Sequence, residues 1–446
     1  MNKFVNFSIL ILLLLLITAC SFDNRSGIWK KHNKKIIAEA NNQKKTEKIF
    51  KKKELFKEEF QSGIKIELNN INNNNYWIEN NLNELNQVGH LVYSNNKNRI
   101  FKSKQIGKTK FLPSEIINEP LFIDGNIYFN DLTGNIYKYS INKKKVVWKY
   151  NFYKKKFKNI PIRINLKLLS ESLIVSDSLG YFYNLELKTG KLIWAKNQGV
   201  PLTSEIKSYD SKIFLLNQDN KFYIFDKNSG KKIIDFETFP VILKKNNKQT
   251  LAIDTNNNIY FVTSAGQIFS LNFQSYKINW LKNIKAESSD EYGLFFSSPI
   301  IVKEKNIFLS SSQSTQSFDS ISGKTLWSIP LGTRIRPIVS NQSIFLITEK
   351  GFALSANIKT GEILWSRKLF KNQELKLNKI GKVTSIFLLS NQILVTTKNG
   401  YFFFLNHNNG KIINFSRVAK GFYSKPIVAN GKIYIINNKM KILVFG

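Results

Sequence analysis

The chain has 446 residues, of which 42% are hydrophobic and 13% aromatic, a composition that excludes disorder for most of its length. Its single cysteine excludes an internal disulfide. The net charge of +36 suits a nucleic acid or a phosphate-bearing lipid surface as partner. Because Lys, Asn and Ile, which all have A/T-rich codons, dominate together, we attribute most of this charge to genome composition.

Residues 1–19 are predicted to be a signal peptide. Lys3 precedes an apolar run at residues 9–17, which is shorter than the roughly 18 apolar residues of a spanning helix. Small residues then precede Cys20, a placement that resembles the lipobox of bacterial lipoproteins, whose Cys carries diacylglycerol. The resemblance implies lipidation at Cys20, with a free cysteine as the alternative, and Ser21 in place of Asp implies the periplasmic face of the outer membrane. Export removes nucleic acid as a partner.

Residues 20–75 are rich in Lys and Asn and contain no repeat, so we interpret them as a tether between the lipid and the body. The body is predicted to span residues 76–446.

A degenerate repeat organises the body. Its clearest copies run from Gly to Trp at residues 190–194, 323–327 and 361–365. Other copies lack either the Gly or the Trp. The anchor positions, spaced by 38 to 49 residues, are Phe101, Trp148, Trp194, Ile234, Trp280, Trp327, Trp365 and Asn414. A period in the forties with short apolar runs inside each unit is typical of propeller blades.

Each complete unit shows three strand signals before the anchor strand, as at residues 336–340, 343–348 and 351–358 before Trp365. The last unit supplies only three strands, and the segment around residues 99–106 supplies the fourth. These patterns predict an all-β, eight-bladed β-propeller of four-stranded antiparallel blades, closed by pairing the N-terminal and C-terminal strands. The anchor Trp rings are expected to pack between adjacent blades.

No catalytic, cofactor or metal site is evident in the sequence. The three His residues lie far apart at positions 32, 90 and 407. Several Asp residues, including Asp131 and Asp177, stand beside predicted turns, where hydrogen bonds to the turn backbone account for them. We therefore expect neither catalysis nor a cofactor.

The Gly-Lys-x-x-Trp ending on a four-stranded blade resembles the quinoprotein (PQQ-type) repeat, which quinone-dependent dehydrogenases share with the BamB family of outer-membrane lipoproteins. The dehydrogenases cover their cofactor with two adjacent cysteines, whereas here Cys20 lies outside the ring. The lipobox, the tether and the stretch from Trp77 to Gly89-His90-Leu91 are similar to BamB proteins.

This resemblance implies a scaffold that binds the periplasmic repeat domains of a BamA-like barrel through loops on one face, beside other Bam lipoproteins. Unfolded outer-membrane clients are further expected partners, by strand addition. The candidate contact loop is residues 286–298, with Asp290 and Glu291, and with Leu294 and Phe296 where the family pattern has acids. The alternatives are a PQQ-dependent dehydrogenase-like enzyme, or a lipid-anchored propeller that binds another envelope component.

Overall fold

The computed structural model describes residues 58–60, 65–94, 98–116, 118–153, 155–239, 248–284, 295–370 and 376–446. These residues form eight antiparallel sheets in which four strands follow one another from the centre outward. At four of the blade boundaries the first strands of the two blades contact each other near the axis. The predicted eight-bladed propeller is confirmed.

Strand bounds are given from the innermost to the outermost strand of each blade. Blades 1 to 4 consist of Leu121–Ile123, Asn126–Asn130, Ile136–Ser140 and Lys145–Tyr150; Ile164–Leu168, Ser172–Asp177, Tyr181–Glu186 and Leu192–Asn197; Lys207–Tyr209, Lys212–Leu216, Phe222–Asp226 and Lys232–Phe236; Leu251–Ile253, Asn258–Val262, Gln267–Asn272 and Lys277–Asn283. Blades 5 to 8 consist of Ile301–Lys303, Asn306–Ser310, Thr315–Asp319 and Thr325–Ile329; Ile338–Ser340, Ser343–Ile347, Phe352–Asn357 and Ile363–Lys368; Val383–Leu389, Gln392–Thr397, Tyr401–Asn406 and Ile412–Arg417; Ile427–Ala429, Lys432–Ile436, Ile442–Phe445 and Arg99–Lys102. The remaining described elements are the strands Glu59–Phe60 and His90–Leu91, the 3-10 turn Lys155–Phe157 and the helix Leu377–Ile380.

The ring closes in blade 8, where Arg99–Lys102 pairs antiparallel with Ile442–Phe445. Phe101 lies opposite Val444 in this pairing. The closure joins the two ends of the described ring in one sheet, as predicted, with Arg99–Lys102 as the outermost strand of blade 8.

Contacts between blades follow the Trp anchors. The indole of each Trp lies on the glycine that ends the turn before the fourth strand of the next blade; a Cβ at Gly190, for example, would lie 2.6 Å from Cδ2 of Trp148. The pairs are Trp148 with Gly190, Trp194 with Gly230, Trp280 with Gly323, Trp327 with Gly361, and Trp365 with Gly410. Four of these indole N–H groups also donate to a backbone carbonyl of the next blade, at 2.8 to 3.0 Å. The predicted packing of Trp between blades is confirmed.

The same contact explains the incomplete copies of the repeat. The turns that lack glycine have Lys144 and Tyr276 at the corresponding position, both with positive φ, of 51° and 58°. In each case the preceding anchor is not Trp but Phe101 or Ile234. Glycine is therefore present where an indole covers the turn and is replaced where none does.

The ring domain begins earlier than predicted. Ile66 is buried, and its backbone N–H donates to Oδ1 of Asn408 at 2.8 Å. Asn74 donates from Nδ2 to the carbonyl of Val428 at 2.9 Å. Residues 65–75 therefore belong to the ring domain, and the boundary at residue 76 is too late. The sequence did not reveal this boundary because an Asn-rich polar stretch is typical of a tether. Here the Asn amides bond to the backbone of the ring instead.

Alanine at Gly190 tests the contact between blades. Gly190 has φ +74° and touches Trp148, whereas Gly199 has φ +73° and nothing within 4 Å of an added Cβ. Gly199→Ala should cost about 1–2 kcal/mol from its left-handed backbone alone. Gly190→Ala should cost roughly 1–3 kcal/mol more, because the methyl group displaces the indole. Thermal unfolding measures the loss of stability in both variants, and equal losses would contradict the role of the indole. In a Trp148→Leu background, the extra cost of Gly190→Ala should disappear.

Candidate functional site

Residues 77–94 pass through the centre of the ring and bond in turn to successive blades. We call this stretch the axial segment. Its backbone contacts are Trp77 N–H to Phe122 O in blade 1, Leu168 N–H to Ile78 O in blade 2, Ile253 N–H to Glu84 O in blade 4, Val302 N–H to Leu85 O in blade 5 and Ser94 N–H to Gly431 O in blade 8. His90–Leu91 pairs in parallel with Leu388 and Leu389 of blade 7. The segment thus ties together blades that are far apart in the sequence.

The carboxylate of Glu79 holds two buried lysines near the axis. Its Oε2 lies 2.7 Å from Nζ of Lys167, in the first strand of blade 2, and its Oε1 lies 3.4 Å from Nζ of Lys207, in the first strand of blade 3. All three side chains are at most 2% exposed. Lys207 also donates to Oδ1 of Asn86 at 2.6 Å. Blades 2 and 3 are therefore linked through one charge of the axial segment.

A second buried group joins the axial segment to blades 1, 3 and 6. Glu119 Oε2 accepts hydrogen bonds from Nε1 of Trp77 and the backbone N–H of Asn81, each at 2.8 Å. Arg336 donates to Oδ1 of Asn81 at 3.1 Å and lies 3.7 Å from Glu119. Asn81 Nδ2 donates to Glu205 Oε1 at 2.7 Å. Burial raises the pKa of Glu205 and lowers the pKa of Arg336.

A cavity of about 380 Å³ lies beside this group, and we call it the axial cavity. Most of its wall comes from connections between the fourth strand of one blade and the first strand of the next. Its lining includes Glu205, Lys248, Phe296, Arg334, Ile335 and Lys425. The volume is within the range of small-molecule sites in proteins.

The mouth of the axial cavity is aromatic and charged. The Arg334 guanidinium lies 3.3 Å from the centroid of the Phe296 ring, and its Nη1 lies 3.5 Å from Oε1 of Glu115. Lys382 lies 3.6 Å from Glu349 on the same wall. A cation on an aromatic face contributes roughly 0.5–2 kcal/mol, so Phe296 has a defined position.

Among the candidate contact residues, only Phe296 falls within the described ranges, and it lines the axial cavity. Asp290, Glu291 and Leu294 lie outside the described residues, as does Cys20. Their roles stay predictions.

Polar residues beside turns have the backbone-capping role that the sequence predicted. Asp131 Oδ1 accepts from the N–H groups of Thr133 and Asn135, and Asp177 Oδ1 accepts from those of Leu179 and Tyr181. These carboxylates stabilise hairpins.

His90 is likewise structural. Its Nδ1 lies 2.9 Å from the carbonyl of Asn69, and its Nε2 accepts from the backbone N–H of Asn391 at 3.1 Å. Both ring nitrogens are occupied by backbone contacts, which assign the proton to Nδ1 and hold the axial segment on blade 7.

A family model described as outer membrane protein assembly factor BamB matches residues 133–367 and 332–445. The two matches together cover more than half of the chain. The chain belongs to the BamB family.

Individual similarities are distant. An uncharacterized protein of Rickettsia prowazekii (strain Madrid E) is 23% identical over 309 residues, 69% of this chain, and the match spans 64% of that relative. BamB of Shewanella oneidensis is 20% identical over 292 residues, 56% of this chain and 72% of that protein. The crystal structure of BamB from Moraxella catarrhalis has a TM-score of 0.63 at 16% identity, covering 78% of this chain and 99% of that one.

A europium-containing methanol dehydrogenase also has a TM-score of 0.63, at 12% identity, covering 81% of this chain and 89% of that one. At such identities structural similarity shows the fold alone, so the ring by itself does not separate BamB proteins from dehydrogenases. Within the described ranges no group of three or more His, Cys, Asp or Glu residues is arranged to hold a metal ion. No helix in the described part of the chain is long and apolar enough to cross a membrane.

Neutralising Glu79 tests how much the buried ion pairs of the axial segment stabilise the ring. Glu79→Gln keeps the shape of the side chain but leaves the ammonium groups of Lys167 and Lys207 buried without their shared carboxylate. Loss of one partner of a buried ion pair costs about 3–5 kcal/mol. The partly exposed pair of Asp235 with Lys221 serves as the control, and Asp235→Asn should cost less than about 1 kcal/mol. Urea unfolding compares the two, and a similar small loss for both would show that the axial charges are solvated.

Proposed function

We propose that the chain is a non-catalytic scaffold of the outer-membrane β-barrel assembly complex. It is anchored through a lipid on Cys20 to the periplasmic side of the outer membrane. It binds the periplasmic repeat domains of a BamA-like barrel and, with other Bam lipoproteins, assists the insertion of outer-membrane proteins. The observation that carries this proposal is the match of the BamB family model over most of the ring.

The rigidity of the ring supports a scaffold role. Indole contacts hold neighbouring blades together, and the axial segment bonds to blades on opposite sides of the axis. Loops on such a ring keep their relative positions, so little conformational entropy is lost when a partner binds. Anchoring both partners at one membrane raises their effective concentration, which allows a small interface to suffice.

The mouth of the axial cavity supports the choice of binding face. Phe296 belongs to the candidate contact loop at residues 286–298 and packs under Arg334. Aromatic and Arg side chains are enriched at the energetically dominant centres of protein interfaces. We therefore propose that the partner contacts this mouth together with Asp290 and Glu291 in the same loop.

The outer strands support a second mode, in which extended segments of unfolded clients add to a blade. The strand Glu59–Phe60 pairs antiparallel with the fourth strand of blade 6, so a blade edge accepts a fifth strand. In blade 2 the fourth strand is an edge among the described residues, and Leu192 and Ile193 on it are about half exposed. Such an edge offers backbone hydrogen bonds and apolar surface to a client strand.

Charge reversal in the candidate contact loop tests the proposed interface. Tagged, lipidated protein is purified from detergent-solubilised outer membranes at moderate salt, and the bound proteins are identified by mass spectrometry. The native chain should recover a BamA-like barrel in stoichiometric amount. Asp290→Lys with Glu291→Lys should reduce this recovery roughly ten-fold or more, because like charges across an interface are costly.

The matched control reverses two exposed carboxylates on the opposite face. Glu171→Lys and Glu304→Lys lie in the hairpins between the first and second strands of blades 2 and 5. This variant has the same change in net charge and should recover the barrel normally. Recovery of the ring alone, or with an unrelated envelope protein, would reject the assembly function. Equal loss in both variants would reject the loop.

Replacement of the single cysteine tests the anchor. Cys20→Ser removes the thiol that would carry diacylglycerol, so the variant should not incorporate radiolabelled palmitate and should not sediment with outer membranes after a salt wash. Attachment through two or more acyl chains resists such a wash. Ser21→Asp is the control, because it should keep the label and change only the membrane in which the protein is found. Undiminished labelling of Cys20→Ser would contradict the assignment.

A further inference from the structure

The floor of the axial cavity carries a buried ammonium group without a partner. Nζ of Lys248 has no contact with solvent and no hydrogen-bond partner among the described residues, although the stem of the side chain is partly exposed. Lys248 lines the axial cavity beside Glu205, whose Oε2 also lacks a hydrogen bond. An unpaired ammonium group in such a place destabilises a protein by several kcal/mol. Glu205 and Glu119 offset part of this charge, but no described residue accepts a hydrogen bond from the ammonium group.

Positive charge is in excess around the cavity. The ionisable residues in its lining are five cations, Lys248, Arg334, Lys382, Lys398 and Lys425, and four carboxylates, Glu115, Glu119, Glu205 and Glu349.

Three of these carboxylates are already engaged by nearby groups. Glu115 lies against Arg334, Glu349 lies against Lys382, and Glu119 is bonded by the axial segment. Burial also lowers the pKa of Lys425 on the same wall. The floor near Lys248 and Lys425 is thus suited to a negative charge.

The lining of the axial cavity also includes apolar residues. Phe295 and Phe296 line it together with Ile116, Ile335 and Val383. A cavity with a cationic floor and an aromatic and aliphatic wall matches a molecule that has a charged end and an apolar body.

We propose that the axial cavity binds a small organic anion, a carboxylate joined to an aromatic or apolar group, with the ammonium group of Lys248 as its main partner. The carboxylate lies against Lys248 and Lys425, and the apolar group lies against Phe295 and Phe296. This site is additional to the proposed assembly function, because it is formed by the ring alone.

The affinity of the axial cavity for the anion should depend on pH through the protonation of Lys248. Burial lowers the pKa of Lys248 to about 8 in the unliganded ring, while Glu205 and Glu119 favour its charged form and Lys425 and Lys207 oppose it. A bound carboxylate stabilises the ammonium form, so binding is accompanied by proton uptake above this pH. The affinity should therefore be nearly constant below pH 8 and fall by up to about ten-fold per pH unit above it.

The test uses 4-fluorophenylacetate as the probe and the complete lipidated protein in nanodiscs. Binding is measured by broadening of the ligand ¹⁹F resonance between pH 6.5 and 9.5. The native protein should bind the probe, and it should bind 4-fluorophenylacetamide, which has the same shape without the charge, at least about ten-fold more weakly. Lys248→Met should lower the affinity by a similar factor. Lys188→Met, on the exposed turn before the fourth strand of blade 2, should leave it unchanged.

Lys248→Arg keeps the charge and separates binding from folding. This variant should retain the probe and lose the decline in affinity above pH 8, because guanidinium does not deprotonate there. Thermal unfolding of each variant checks that the ring is intact. Three results would each overturn the proposal: no broadening with the native protein, equal affinity for the amide, or full retention of binding by a folded Lys248→Met variant. None of these outcomes bears on recovery of a barrel partner.

Discussion

The contact between an indole and a glycine of the next blade determines how the ring is built. The indole can lie flat only if the turn beneath it has no side chain, so Trp148 and Gly190 constrain each other across a blade boundary. The indole N–H then finds a carbonyl in the same neighbouring blade. Five such contacts fix the relative position of successive blades, and small angular errors would otherwise accumulate around a closed ring.

This contact is also why the fold could be predicted from the sequence. Because both partners recur once per blade, their spacing reports the blade period even where single copies are degenerate. The sequence alone did not explain why Lys144 and Tyr276 replace glycine in two turns. The reason lies one blade earlier, at Phe101 and Ile234, which do not cover the turn as an indole does. The repeat looks irregular when each residue is considered alone, but it is regular when each anchor is considered together with the turn residue of the next blade.

The centre of the ring could not be predicted in the same way. The axial segment contacts the blades through backbone groups and side chains at irregular positions, so it has no period. Glu79 meets Lys167 across 88 residues, and Arg336 meets Asn81 across 255. In a chain with 67 Lys and Arg residues, the sequence does not distinguish the few cations that are buried from the many that are solvated. The same limitation concealed Lys248 and the axial cavity.

The buried cations of the ring differ in whether a carboxylate of the chain bonds to them. Lys167 and Lys207 face a carboxylate of the axial segment, so their charge is balanced inside the protein and fixes where that segment lies. Lys248 is inside the ring as well, yet no described residue supplies it with a hydrogen bond. Balanced buried charge specifies structure, because removing either partner is costly. The charge of Lys248 is offset only by nearby carboxylates that do not bond to it, so its unused hydrogen-bonding capacity has no such structural role and suits the proposed external anion.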